Sequence, residues 1–285
     1  MMKKILLYVL LICSVAFCAY SMNTAILGGA GEGGSATDYT ADANCMGAWF
    51  MNGGLSANGD SETDRSGEDG TLTEALGDSP NDATVPTNYS GTSRDFEYGD
   101  TEWLYEADGG STDISGADQN ISYGAWLRIE AVVNGQYLTA LGKWDETIGK
   151  QYVLYVVGTD TNEFKFKCNL SNDGSAVNYV ESTTTNYVTG TYYHVMCVYD
   201  EADTGSELRV YVDGASSNTT NYTAGIFNSN CDFGIGALED NGSMANGECF
   251  DGLIDEVVVF NDALTSAEVS NIYSYGIDGS RGGND

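Results

Sequence analysis

The segment FDGLIDEVVVFNDALTSAEVSNIY, Phe250–Tyr273, decides how the rest of the chain is read. It sets two adjacent acids, Asp255 and Glu256, inside an apolar run. Neighbouring residues of an extended strand point to opposite faces of a sheet. A retaining glycosidase needs its two carboxyl groups about 5 Å apart on one side of a cleft, so these two acids cannot be such a couple. Alternation puts Asp255 with Val257 and Val259 toward an interior and leaves Glu256 on the opposite side, as a solvated or sheet-face acid. Thr265-Ser266-Ala267-Glu268 then has the capping-box pattern, Val269, Ile272 and Tyr273 supply an apolar stripe, and Gly276 is the stop. The segment reads as a closing strand and one short helix.

Outward from it, strand-like runs recur every ten to fifteen residues between Met46 and Phe260, separated by Gly, Asn, Asp and Ser. In ELRVYVDG, Leu208, Val210 and Val212 share one face and Arg209, Tyr211 and Asp213 the other. In EFKFKCNL, Phe164, Phe166, Cys168 and Leu170 point one way and the lysines the other. Period-two patterning with one wet face belongs to antiparallel sheets packed face to face. About thirteen short strands and only two prolines predict an all-β, two-sheet antiparallel jelly-roll sandwich with one short C-terminal helix.

Composition bounds the role. Asp and Glu number 42 against 11 Lys and Arg, a formal net charge of −31. Nucleic acid and anionic membranes call for basic patches, so neither is the expected partner. Residues 1–21 carry Lys3 and Lys4, an apolar run from Ile5 to Phe17 and a small-x-small site at Ala19-Tyr20-Ser21, the pattern of a signal peptide. The expectation is a secreted, extracellular protein with no transmembrane segment after cleavage, since no later run approaches the ~20 apolar residues of a span. Residues 22–43 read as a flexible lead-in, 44–276 as the domain and 277–285 as a disordered tail.

Cleavage reduces seven cysteines to five: Cys45, Cys168, Cys197, Cys231 and Cys249. An oxidising compartment permits disulfides, and an odd number leaves one thiol over. Cys168 and Cys197 lie within apolar strand faces and are candidates for a cross-strand bridge. Cys231 and Cys249 flank a hairpin and meet only if its loop folds back.

Taken in order, MGAWFMNG, TDRSGEDGTLT, RDFEYGDTEWLYEAD, DQNISYGAWLRIE, GTYYHVMCVYD, ELRVYVDG, FGIGALED and FDGLIDEVVVFNDALTSAEV span nearly the whole mature chain. This series resembles the LamG-like jelly-roll group of the concanavalin A-like lectin/glucanase superfamily. The resemblance implies the same concanavalin A-like sandwich, with Trp49 and Trp126 in its core and His194 as a structural strand residue. It also implies a structural calcium (Ca2+) where the first and last strands meet, with Asp255 and the Asp64 of the Asp-x-Ser-Gly turn as its candidate ligands, aided by backbone carbonyls. Otherwise Asp64 orders its own turn and Asp255 caps nearby amides. The Glu-x-Asp-x-x-Glu strand of the related laminarinases is absent, as are Ser–His–Asp and zinc-type arrangements around His194.

Sugar recognition asks for an aromatic ring flanked by polar groups. Trp144, in LGKWDETIGKQY, reads as an inter-strand, exposed ring beside Asp145 and Glu146. Trp103, Tyr152 and Tyr187 are the further candidates. The expected function is a non-catalytic carbohydrate-binding, lectin-like module for extracellular or cell-surface glycans, possessing no catalytic residue. A structural or adhesive surface protein working through protein–protein contacts is the alternative, and a divergent polysaccharide-degrading enzyme the minor one.

Overall fold

The computed structural model describes residues 36–53, 60–76, 79–100, 102–114, 119–240, 243–244 and 248–281. The expected signal peptide 1–21, most of the expected lead-in and residues 282–285 lie outside these. The first strands are β1 (Cys45–Trp49), β2 (Ser61–Glu62), β3 (Leu72–Leu76), β4 (Asn81–Asp82), β5 (Ser93–Phe96) and β6 (Trp103–Glu106). Long strands follow: β7 (Ile121–Ile129), β8 (Tyr137–Asp145), β9 (Gly149–Asp160) and β10 (Glu163–Leu170). After them come β11 (Asn178–Glu181), β12 (Tyr187–Val188), β13 (Tyr192–Tyr199), β14 (Leu208–Val212) and β15 (Ala215–Thr220). The last are β16 (Phe233–Ile235), the β17 (Glu239–Asp240) and β18 (Ser243–Met244) pair, β19 (Gly252–Phe260) and the helix α1 (Ser266–Tyr275).

Among the described residues two large antiparallel sheets form. Sheet A runs β15-β14-β13-β7-β19-β5-β4, with β1 also on β19. Sheet B runs β11-β10-β9-β8-β16-β6-β3-β2, with β12 also on β10. Their inner faces share one core that includes Trp49, Tyr123, Leu154, Phe166, Val210, Phe233 and Ile254. This is the expected jelly-roll sandwich. Cys168 of β10 and Cys197 of β13 are joined by a disulfide, Cα–Cα 5.9 Å, that ties sheet B to sheet A through the core. The other candidate pair does not form. Cys231 sits 3.0 Å from Ser229 Oγ, whereas Cys249 packs in a separate cluster with Trp103 and Ala237. Both carry buried thiols.

The helix starts and stops as its sequence dictates. Glu268 N–H donates to Thr265 Oγ1 and the Glu268 carboxylate accepts from Thr265 N, closing the capping box. Gly276, at φ 82°, ends it and donates to Ile272 O at 2.8 Å. Val269 and Ile272 are buried on the outside of sheet A with Met196, Val198, Tyr211, Val258 and Phe260. The face expected to be wet is therefore roofed. The domain also reaches past its expected limits of 44 and 276: Tyr39 and Ile277 are both buried, and Tyr39 N–H donates to Ile277 O at 2.7 Å. No helix of the described residues is long and apolar enough to cross a membrane.

Candidate functional site

β19 departs from simple alternation at its two acids. The pairing with β7 runs Asp255↔Trp126 and then Val258↔Gly124, one residue more on β19 than on β7, and Glu256 sits at φ 45°. Such a bulge shifts the phase of every later side chain. Ile254, Val257 and Val259 consequently face the core, while Asp255 shares the outer face with its partner Trp126. The expectation that Asp255 accompanies Val257 and Val259 is corrected by this extra residue. Of the two expectations for Glu256, solvated or sheet-face, the first is excluded, because it is only 2% exposed.

Asp255 accepts the Glu256 N–H at 2.8 Å and the Ser93 hydroxyl at 3.2 Å. Ser93 in turn accepts from Tyr192 OH at 2.8 Å. Glu256 accepts the Ile277 N–H at 3.3 Å. Burial pushes both acids well above the ordinary carboxylate range, and for Glu256 the Asp255 charge adds to it. Both are almost wholly buried, 3% and 2% exposed, on the covered side of sheet A. His194 lies beside them, tilted against Trp126 and Tyr273. Burial lowers its pKa to about 3, so it is neutral.

The expected calcium ligands do not assemble. Asp64 Oδ1 accepts from Ala48 N and Ser66 N, and its Oδ2 from Ser66 Oγ and Gly70 N, at 2.6–3.0 Å. Asp255 is satisfied by different elements, on the outer face of sheet A. Calcium takes six to eight oxygens, and the carboxylate oxygens that Asp64 and Asp255 would offer already accept from protein donors. The one group of three acids whose oxygens lie within 4.8 Å of one another among the described residues is Asp95, Glu97 and Glu130, where Arg128 pairs with Glu130 at 2.5 Å. Burial and the charges of Glu130 and Glu97 raise Asp95 to about 6.

The four aromatic candidates are not brought together, and three of them are not exposed. Trp144 is 2% exposed. β8 continues through Asp145, so the ring belongs to the outer face of sheet B, packed with Val153, Tyr155 and Leu238. Its Nε1 donates to Glu146 at 3.2 Å, and Asp145 caps the turn by accepting from Thr147 N and Ile148 N. Trp103 is buried, stacked on Tyr105. Tyr152 faces the core and donates to Thr112 O at 3.0 Å. Tyr187 is half-buried at the core rim, against Phe166 and Tyr193. A ring without an open face cannot carry a sugar, and this alternation-set packing removes Trp144, Trp103 and Tyr152 from that role.

A more exposed ring lies outside these four candidates. Tyr179 on the edge strand β11 is 50% exposed. Its register partner on β10 is Asn169, which sits beside Val153 of β9. Cys168 and Leu170 turn into the core, so Asn169 turns out with Lys165 and Lys167. The Lys167 ammonium lies 4.0 Å from the centre of the Tyr179 ring and 5.5 Å from that of Tyr137 on β8. Asn169 is buried and its Oδ1 has no hydrogen-bond donor among the described residues. On one side of this surface, Thr139 N donates to Glu248 O and Tyr155 OH to the Glu248 carboxylate. Ring, amide and ammonium groups thus share one face of sheet B. The clue available in the sequence was the alternation of KFKCNL, which already sent Lys165, Lys167 and Asn169 outward together.

A sequence profile of the concanavalin A-like lectin/glucanases superfamily matches residues 107–270, over half of the chain. The chain belongs to this superfamily. A comparison with curated proteins finds no match. Among solved structures, this superfamily member is similar to domain 4 of AbnA, a GH43 extracellular arabinanase from Geobacillus stearothermophilus, in complex with arabinotriose. The TM-score is 0.54 at 16% identity, over 81% of this chain and 98% of that one. It is also similar to the binding domain of botulinum neurotoxin serotype G, TM-score 0.58 and 13% identity over 81% of this chain. The binding domain of Paraclostridial mosquitocidal protein 1 gives 0.57 and 12% over the same share. The matches span about half of each toxin binding domain, 51% and 52%. At these identities the likeness is one of fold.

Proposed function

We propose that the protein is an exported, non-catalytic carbohydrate-binding module and that the outer face of sheet B between β8 and β11 meets the glycan. The observation that carries this reading is the half-exposed Tyr179 ring with Lys167 and Asn169 on the same face. A pyranose stacks on such a ring while neighbouring polar groups bond its hydroxyls. The superfamily and the arabinotriose complex of the arabinanase domain support the ligand class. The core disulfide fits an oxidising, extracellular compartment. The adhesive alternative draws less support. The thiols are buried, and the outward carbonyl of Glu181 on β11 is already taken by Asn218 Nδ2 at 2.8 Å.

The test is a glycan array with the intact protein and Tyr179→Ala. Binding should fall at least tenfold in the variant while the melting temperature drops by no more than about 4 °C. Silence on every glycan, or binding indifferent to Tyr179, refutes the reading. An EDTA arm tests for calcium: the engagement of Asp64 and Asp255 by protein donors leads to unchanged binding. Sugar release from a polysaccharide panel would overturn the non-catalytic assignment.

A further inference from the structure

The lysines of this acidic chain are not scattered. Every lysine among the described residues, Lys143, Lys150, Lys165 and Lys167, lies on three adjacent strands, β8, β9 and β10. Lys143 turns inward to Asp108 at 2.7 Å. Lys150 stands over the Trp144 ring and pairs with Glu146 at 2.7 Å. Lys165 and Lys167 reach the same carboxylate: Glu181 Oε2 is 2.6 Å from Lys165 Nζ, and Oε1 is 3.9 Å from Lys167 Nζ. Around Tyr179, then, two ammonium groups share one acid in a chain whose net charge is −31.

The chemistry of that arrangement selects a ligand. Glu181 is part-exposed on an edge strand, so its ion pairs are of the weak, solvent-screened kind. An incoming anion can replace it between the two lysines at small cost. Asn169 Oδ1 is buried and has no donor among the described residues, and a hydroxyl donated to it would remove a desolvation penalty. An uncharged sugar could stack on Tyr179 but would leave the Lys165–Glu181–Lys167 arrangement as it stands.

We propose that the saccharide recognised here is acidic, its carboxylate or sulfate taking the place of Glu181 between Lys165 and Lys167 while a ring lies on Tyr179. This inference rests on the reading of the face as a glycan site. Titration calorimetry with three probes tests it: a galacturonate trimer, a sulfated glycosaminoglycan tetrasaccharide and arabinotriose. At least one acidic probe should bind ten or more times tighter than arabinotriose, and which of the two does so tells carboxylate from sulfate. Lys167→Gln and Lys165→Gln should each weaken that binding about tenfold with unchanged melting. Glu181→Gln should tighten it severalfold, because the internal competitor is gone.

Arabinotriose bound as tightly as the acidic probes, lost in Tyr179→Ala but indifferent to Lys167→Gln, sinks the acidic assignment and leaves the module reading intact. So does an acidic probe whose affinity ignores Glu181→Gln. If none of the three binds, the acidic proposal falls. If the glycan array is silent as well, the carbohydrate-binding reading falls with it.

Discussion

The two sheets present outer faces built by the same alternation but left in opposite states. On sheet A the outward residues Met196, Val198, Val258 and Phe260 are apolar, and the chain covers them with α1, Tyr39 and Ile277. On sheet B the outward residues are apolar from β9 across to β6, where Trp144, Val153 and Tyr155 lie with Leu238 and Trp103 with Ala237 and Cys249. Toward β11 they become Lys165, Lys167, Asn169 and the exposed Tyr179. An apolar outer face needs a roof from its own chain, because apolar area left in water costs about 25 cal/mol per Å². A face of ring, ammonium and amide needs none. One face is covered by the chain itself, and the other keeps the half-exposed ring of Tyr179.

The largest expected effect breaks the apolar middle of sheet B. Trp144→Ala removes a fully packed ring and should cost about 3–5 kcal/mol, read as a large fall in melting temperature. Any loss of glycan binding should then appear only in step with unfolding. If Trp144→Ala leaves melting unchanged yet abolishes binding, the ring is a ligand platform and the division of the face given above is wrong.

Next comes the link between the two sheets. Cys168 and Cys197 are 29 residues apart in sequence, and a loop of that size is worth roughly 3–4 kcal/mol on the chain-entropy account. Replacing both by alanine should lower denaturant stability by about 3 kcal/mol, with both faces loosening together. Loss confined to one sheet, seen by hydrogen exchange, would show that the sheets hold independently.

How much of this contrast was legible in the sequence varies with the kind of signal. Strand alternation, the capping box and the Cys168–Cys197 candidate bridge each depend on local pattern, and all three are found in the structure. Asp255 and Glu256 were misplaced because a bulge inserts one residue and reverses the phase, and no turn residue announces it: Glu256 takes φ 45° without being glycine. Trp144 was misread because the polar run DET looks like a loop, while β8 actually carries the ring and only the Asp145 turn follows. Tyr179 escaped notice because its exposure depends on β11 lying at the sheet edge, a property of strand order that a single sequence does not display.

The closed face of sheet A should also answer to pH. Burial raises Asp255 and Glu256 well above the carboxylate range, and on the same sheet burial raises Asp95 to about 6. Burial also lifts Glu102, on the β5–β6 connection, to about 7. A group whose folded pKa exceeds its unfolded value adds stability while protonated and loses it as pH rises through the folded value. His194, held neutral, works the other way, its contribution being lost as pH falls below its unfolded value of ~6.5. Between pH 8 and 6.5 only the acids act, so melting temperature should rise by a few degrees as pH is lowered across that window. Glu256→Gln should flatten the rise; an unchanged slope would mean Glu256 is not protonated in the fold.

The smallest expected effect on stability belongs to the residue with the largest expected effect on binding. Tyr179 lies on a four-residue edge strand with half its surface in water, so its truncation forfeits little burial. The ammonium of Lys167 over its ring is worth about 0.5–1 kcal/mol at such a site, and Lys167 keeps Glu181 as an alternative partner. Tyr179→Ala should therefore cost no more than about 1 kcal/mol, against about 3–5 kcal/mol for Trp144→Ala. Paired measurements of melting and glycan affinity on these two variants separate a ring that holds the sheet from a ring that meets a ligand. Should Tyr179→Ala destabilise the fold as much as Trp144→Ala does, the β10–β11 edge is part of the packed shell of the domain. The open face would then have to be sought elsewhere on the molecule.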